Sequence, residues 1–371
     1  MRQRRQFPLR AKIVGIALLV AALPGAARAG APAADPVSTG GPPKDLIIQL
    51  SSWSFGPAAL TDWMNYICAN RRNPAQPGYV RSIVLQDIAT PDPTASVEEN
   101  PPTADDQLLT PLIDALLPYF PGGTGPCQLD NVFVGTIDLA PYRANPYSDG
   151  IKDENYRWNN ILRSRTLADE FKAHVAASGN PGVVYHWYVT YEAMLNYFDD
   201  PGIQQGYLAY LLELTRQLAE VRDDSAMLWS PGVDAAPPPG GIGGTLGTNL
   251  ASFFAQYKSQ AAAYNSYGAG SGGPLWLDLQ DHVGSMDCGA GHHMTKEDAA
   301  AWLDGLRGLF SFTSLRMNVE QFRHLDPGSC TSALVAADPA EVMARESYYN
   351  TNGILLGAAW ELRFWGANNH L

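Results

Sequence analysis

Two glutamates raise the first chemical question. Glu192 ends the run Trp187-Tyr188-Val189-Thr190-Tyr191-Glu192 and Glu320 ends Asn318-Val319-Glu320, each at the close of a short apolar stretch. Breaking a glycosidic bond calls for two carboxyl groups: one protonates the leaving oxygen, the other attacks the anomeric carbon or activates water. A single glutamate in such a place is usually a solvated acid. Two at the ends of separate strands facing each other across a barrel mouth are a candidate pair. Trp53, Tyr188, Gln280, Asp281, Asn318, Trp360 and Glu361 also follow or end apolar runs, and their rings and polar groups suit sugar faces and hydroxyls. Asp281 is equally suited to cap the turn that Gly284 ends. Glu361 serves as a third carboxylate or as a partner for Arg363. Trp187 alternates with Tyr188 and so points to the opposite face, into packing. Asp87 and Asp138 end strands as well and form a reserve carboxyl pair.

Other chemistries find less support. His282, Asp287, His292 and His293 could be read as a zinc set serving a deacetylase, but they lie in a Gly-rich loop without i,i+4 helical spacing, and Cys288 among them fits a disulfide better. No metal or other cofactor is expected. The chain has no nucleophile elbow, no phosphate-cradling Gly motif and no dinucleotide fingerprint in context.

Something must hold these residues on one rim. Apolar strand patterns recur at Leu46–Leu50, Ser82–Gln86, Val132–Ile137, Val183–Val189, Ala226–Trp229, Leu275–Leu279, Ser314–Val319 and Ile354–Trp360. Between them lie helical patterns at Pro57–Ala69, Ala104–Phe120, Ile161–Ser178, Gly202–Val221, Ala251–Tyr264, Thr295–Phe310 and Pro339–Tyr349. Thr295 with Asp298 reads as a capping box, and Asp338-Pro339 as an N-cap before a first-turn proline. Eight such units predict a single (βα)8 TIM barrel over residues 45–371 with extended βα loops, the longest after strands two, three and five. Barrel sites lie at the C-terminal strand ends, where the polar residues above fall.

The N-terminus predicts export. Residues 1–12 carry Arg2, Arg4, Arg5, Arg10 and Lys12 without an acid, an apolar run covers Ile13–Leu23, and Ala27-Arg28-Ala29 supplies a cleavage pattern. Arg4-Arg5-Gln6-Phe7 resembles a twin-arginine signal, and a general secretory signal fits as well. Residues 1–29 are thus a signal peptide, 30–44 a disordered Gly/Ala/Pro/Ser leader, and no stable membrane anchor is expected. The whole chain carries 25 Lys/Arg and 37 Asp/Glu. Cleavage removes six of the bases, leaving a net charge of −18. An acidic chain without a basic stripe is a poor nucleic-acid binder. It suits a neutral or cationic substrate, although solubility alone accounts for the charge. All four cysteines follow the signal, and Cys68–Cys127 and Cys288–Cys330 are the expected bridges of a monomeric secreted protein.

Four motifs in order carry a resemblance. Trp187-Tyr188 through Glu192, Trp229-Ser230-Pro231, Gln280-Asp281-His282-Val283-Gly284, and Asn318-Val319-Glu320-Gln321-Phe322 resemble a bacterial family of glycoside-hydrolase-like barrels long labelled a domain of unknown function. The likeness covers about residues 180–325; the first half of the chain matches in architecture only. That family is similar to the clan of retaining glycosidases with catalytic glutamates on strands four and seven. The resemblance implies Glu192 as acid/base, Glu320 as nucleophile, and Trp360 beneath the sugar in the cleaved subsite. That clan commonly has Asn before its strand-four Glu; Tyr191 stands there, and Asn318 is the candidate to replace that asparagine's contact with the sugar 2-hydroxyl. Arg316 and Asn318 are expected to favour the Glu320 charge, and Trp187, Tyr188 and Tyr191 to raise the Glu192 pKa. The expected activity is a secreted glycoside hydrolase acting on a polysaccharide or glycan; the alternatives are a non-catalytic carbohydrate-binding barrel and a metal-dependent deacetylase.

Overall fold

The computed structural model describes residues 45–70, 79–238, 240–267, 274–286, 293–309 and 314–362. The expected signal and leader lie outside these, as do Asp287, Cys288, His292 and Arg363. Among the described residues no helix is long and apolar enough to cross a membrane.

The strands are short, apolar and covered on both faces, as expected of parallel strands in a closed sheet. They are β1 (Asp45–Gln49), β2 (Ser82–Gln86), β3 (Asn131–Gly135), β4 (His186–Val189), β5 (Met227–Trp229), β6 (Leu275–Gln280), β7 (Ser314–Glu320) and β8 (Leu356–Trp360). Each pairs in parallel with the next, and β8 pairs back onto β1, closing the (βα)8 barrel. Side chains alternate along each strand. Ile47, Val84, Phe133, Tyr188, Leu228, Trp276 and Ala358 fill the lumen, whereas Leu46, Ile48, Ile83, Leu85, Val134 and Leu277 pack outward under the helices.

Beside these lumen side chains an ion network crosses strands, with the Arg316 guanidinium over the Trp276 ring. Arg316 of β7 donates to Asp278 of β6 (2.8 and 3.0 Å) and to Asp45 of β1 (2.5 Å), and Arg81 adds a second contact to Asp45 at 3.0 Å. Arg316 is 1% exposed. Removing one partner of such a buried set costs about 3–5 kcal/mol, because a charge is left uncompensated. Arg316 is therefore spent here and does not act on Glu320, which corrects the expectation from strand parity.

Among the described residues seven α-helices return the chain: α1 (Gly56–Asn70), α2 (Thr110–Leu116), α3 (Glu154–Ala177), α4 (Pro201–Val221), α5 (Gly244–Ala261), α6 (Lys296–Arg307) and α7 (Pro339–Thr351). The α6 capping box at Thr295/Asp298 and the Asp338 cap of α7 form as read from sequence. Three helix starts differ, and α5 begins at Gly244 rather than Ala251. α2 starts later than its periodicity suggests, because Gln107–Leu108 pairs with Ala89–Thr90 in a small ribbon. α3 starts earlier, because the Asp153 carboxylate accepts from the Asn155 and Tyr156 amides and so satisfies free N–H groups of its first turn. Cys68 at the end of α1 is bridged to Cys127 with a Cα separation of 5.5 Å. The Cys288–Cys330 expectation rests on Cys288, outside the described residues.

Candidate active site

Strand parity brings Gln86, Ser230, Gln280, Asn318 and Trp360 to the upper lumen, with Glu320 one step beyond Asn318 on the same face. Gln280 and Asn318 are register partners, and so are Trp360 and Glu320. Ser230 organises this floor. Its Oγ donates to the Asp278 carbonyl (2.7 Å) and accepts from Asn318 Nδ2 (2.9 Å), while its carbonyl accepts from Gln280 Nε2 (2.7 Å).

Glu320 is fully buried, and its carboxylate is met by a turn. Gly284 N–H and Ser285 N–H donate to Oε2 at 2.8 and 2.7 Å, and Ser285 Oγ donates to Oε1 at 2.7 Å. Burial raises its pKa, and these donors together with Arg345 oppose the rise. The turn needs glycine at 284: a Cβ there would lie 1.9 Å from the Phe322 carbonyl oxygen. The Glu320 backbone is clamped as well. Its N–H donates to Asp281 Oδ1 (3.2 Å) and its carbonyl accepts from Arg345 Nη2 (2.6 Å). Asp281 Oδ2 in turn accepts from Arg345 Nη1 and Tyr349 OH, both at 3.1 Å.

Asp281 is 0% exposed. Both its carboxylate oxygens are taken by protein donors, which corrects the expected sugar contact: the carboxylate braces strand β7 and accepts from Val283 N–H in the turn. Burial raises its pKa to about 6, against the pull of Arg345.

Three carboxyls on consecutive strands behave differently. Asp87 after β2, Asp138 after β3 and Glu192 after β4 are all half-buried. Glu192 is pushed up to about 8, first by burial and then by the Asp138, Glu320 and Asp87 charges, with a Gln280 amide bond opposing. Asp138 is pushed up to about 7 by burial and by Asp87, while the Ala140 N–H at 2.8 Å pulls the other way. Asp87 is raised by burial despite hydrogen bonds from Ser51 Oγ (3.0 Å) and Gln49 Nε2 (3.1 Å). Asp87 and His282, which follow β2 and β6, adopt φ of +54° and +51°. Such backbone outliers gather at functional sites.

The remaining expected residues divide. Tyr188 lies in the lumen, near enough to Glu192, Asp87 and Asp138 for their charges to raise its pKa. Trp360 is half-buried, edge-on to Phe322 at 5.5 Å. Trp187 and Tyr191 face outward, against Tyr185 and against Tyr207 and Tyr210 respectively, and so do not line the Glu192 carboxyl as expected. Trp53 is packed in the outer core with its indole N–H on the Gly56 carbonyl at 2.9 Å, and the exposed ring beside it is Phe55. Glu361 is buried. His282 is buried and held neutral by desolvation, its pKa pushed down to about 4. Among the described residues no group of three His, Cys, Asp or Glu converges as a metal site.

Sequence reasoning missed Arg345, Tyr349 and Ser285. Arg345 and Tyr349 stand four apart on α7, hence on one face. An Arg on a buried face was the available signal.

No family model matches the chain, and no curated protein matches it in sequence, so the family resemblance stands on its four motifs. Among solved structures it is similar to one from Bacteroides thetaiotaomicron to which an alpha-L-fucosidase role has been ascribed, at 12% identity over 88% of this chain and 89% of that one, with a TM-score of 0.51. It is also similar to a psychrophilic glycoside hydrolase family 10 endo-beta-1,4-xylanase (11% identity, 86% of each chain, TM-score 0.44) and to the intracellular xylanase TsXylA of Thermoanaerobacterium saccharolyticum (11%, 85% of each, 0.44). The first likeness shows the barrel fold; the two xylanases add nothing to it. Fold and site together define a (βα)8 barrel with a carboxyl-lined mouth.

Proposed function

We propose that this protein is an exported glycoside hydrolase in which Glu192 delivers the proton to the leaving oxygen. The carrying observation is the contrast between Glu192, a half-buried carboxyl that stays protonated up to about pH 8, and Glu320, whose carboxylate accepts three hydrogen bonds. Carboxyls whose surroundings push their proton affinities apart are the recurring mark of an acid paired with an anion. Glu192 would protonate the glycosidic oxygen as the bond breaks and recover the proton from the incoming water. Glu320 would supply the negative charge that stabilises the oxocarbenium-like centre, as nucleophile if the motif resemblance holds. Trp360 at the rim offers a ring face, and Gln280 and Asn318 offer amides to sugar hydroxyls. Export rests on the N-terminal segment.

One observation favours a second assignment within this reading. Glu320 is 0% exposed, whereas Asp138 is half-buried with a pKa of about 7. In that assignment Glu320 is a fixed anion beneath the sugar, and Asp138 is the carboxyl that meets it or activates water. The test is a polysaccharide panel assayed by reducing-end release with wild type, Glu192→Gln, Glu320→Gln and Asp138→Asn, and product anomers followed by NMR. Loss of turnover in Glu192→Gln and Glu320→Gln with Asp138→Asn active supports the pair Glu192/Glu320. Loss in Asp138→Asn with Glu320→Gln active moves the second role to Asp138. Undiminished turnover in Glu192→Gln overturns the proton-donor assignment.

A further inference from the structure

We propose that the arc formed by Asp87, Asp138 and Glu192 binds an ammonium group, so that the preferred ligand is a glycan bearing free amines. The catalytic consequence rests on the glycosidase reading; the binding does not.

The argument begins with donors and acceptors. Asp87 Oδ2 is bonded to Gln49 and Ser51, and Asp138 Oδ1 to the Ala140 amide. Their other carboxyl oxygens have no protein partner among the described residues. On the facing strands, Gln280 Oε1 and Asn318 Oδ1 are likewise buried without a partner, in residues 1% and 0% exposed. The orientation of both amides is fixed by their bonds. Gln280 must turn its nitrogen to the Ser230 carbonyl, which only accepts. Asn318 must turn its nitrogen to Ser230 Oγ, whose own proton is committed to Asp278. The Gln280 side chain also lies near enough to the Glu192 carboxyl to oppose the rise in its pKa, so this floor and the arc are neighbours.

With the arc ionised, the unused groups are all acceptors. A sugar hydroxyl donates once and asks for a donor in return. An ammonium donates three times and asks for none. No cation figures among the charges acting on Asp87 or Asp138. Arg316 is tied to Asp45 and Asp278, and Arg345 to Asp281. The arc is also too spread for a metal, since no three acidic, His or Cys side chains converge among the described residues. A cation carried on a sugar ring spans such a spread. A bound positive charge favours the ionised forms of these carboxyls and so opposes the rise in proton affinity that burial and their neighbours impose.

The test uses the mature protein as the Glu320→Gln variant, with calorimetry at pH 6.5 against hexamers of glucosamine, galactosamine, N-acetylglucosamine and glucose. One of the amine hexamers is expected to bind at least about tenfold tighter than its neutral counterparts, and to weaken with salt as an exposed charge contact does. Asp87→Asn and Asp138→Asn should each reduce that preference several-fold, with thermal unfolding confirming that both variants are folded. Equal affinities for amine and neutral hexamers, or a preference that survives both substitutions, overturns the proposal. Wild-type hydrolysis is scored separately. An amine preference without cleavage defeats the glycosidase reading alone, and cleavage of neutral polymers without amine preference defeats the ammonium site alone.

Discussion

The two halves of the barrel mouth handle buried carboxyls in opposite ways. On the β6–β8 side, Asp281 and Glu320 are sealed from solvent and wrapped in donors: Arg345, Tyr349, Val283 N–H, and the Gly284–Ser285 turn. On the β2–β4 side, Asp87, Asp138 and Glu192 are half-open and have few donors, and burial raises the pKa of each, to about 7 for Asp138 and about 8 for Glu192. The same functional group is thus held in a cage of donors on one side and left with few on the other. Donor count decides between them, since burial raises the proton affinity of all five.

The largest expected effect separates the halves outright. Glu192→Gln should lower kcat by about 10²–10⁴-fold on a substrate with an ordinary sugar leaving group, the usual contribution of a proton donor. An activated aryl leaving group should recover much of that loss; equal losses on both substrates would remove the distinction between donor and anion.

The sealed half should be the structural one. Arg345→Met leaves Asp281 as a buried charge short of its partner and should cost about 3–5 kcal/mol in chemical denaturation. A cost below 1 kcal/mol would mean that the brace is ornamental.

Stability against pH gives the next contrast. The folded pKa of Glu192 is raised from 4.5 to about 8. The folded state therefore binds this proton more tightly than the unfolded chain does, and stability falls as pH rises from the unfolded value through the folded one. Glu192→Gln should remove that loss, making the variant more stable than wild type at pH 8.5 by up to about 4–5 kcal/mol and nearly equal to it at pH 4. In activity, the alkaline limb should fall near pH 8 and be absent from what remains in Glu192→Gln.

The smallest effect sharpens the comparison. Ser285→Ala removes one of three donors to the Glu320 carboxylate and should cost about 1 kcal/mol. With less opposition to burial, the acid limb of the pH–rate profile should move to higher pH. An unmoved acid limb would mean that Glu320 does not control it.

How much of this could be read from the sequence follows the same division. All eight strands were legible, because short apolar runs repeat and each ends in polar residues. The cap of α6 was legible from Thr295 and Asp298. What escaped was whatever depends on which neighbour a polar side chain meets. Asp281 looks like Gln280 in the sequence, one residue away, but parity turns Gln280 into the lumen and Asp281 back toward α7. Arg316 looked like a partner for Glu320 because they share a face, yet two acids on β1 and β6 claim it first. Tyr191 and Trp187 were grouped with Glu192 by proximity in sequence, whereas alternation sends both rings to the outer core. Cys68–Cys127 was legible from spacing and compartment; the late start of α2 was not, because periodicity continues through the ribbon residues Gln107 and Leu108.

The Arg316 network has a consequence for assembly. Its members sit on β6, β7 and β1, and Asp278 also accepts the Ala358 amide of β8 at 3.1 Å. These four strands are the seam where the first strand synthesised meets the last. Arg316 and Asp45 are separated by 271 residues, so their contact forms only after nearly all of the chain is available. Until β8 docks, a nascent barrel exposes an unfinished edge and a half-compensated charge. Contacts of such long sequence separation pay their loop-closure entropy before they return any stability. An export route that threads the unfolded chain postpones this step to the far side of the membrane. If the N-terminal segment directs export of folded cargo, the seam must close beforehand.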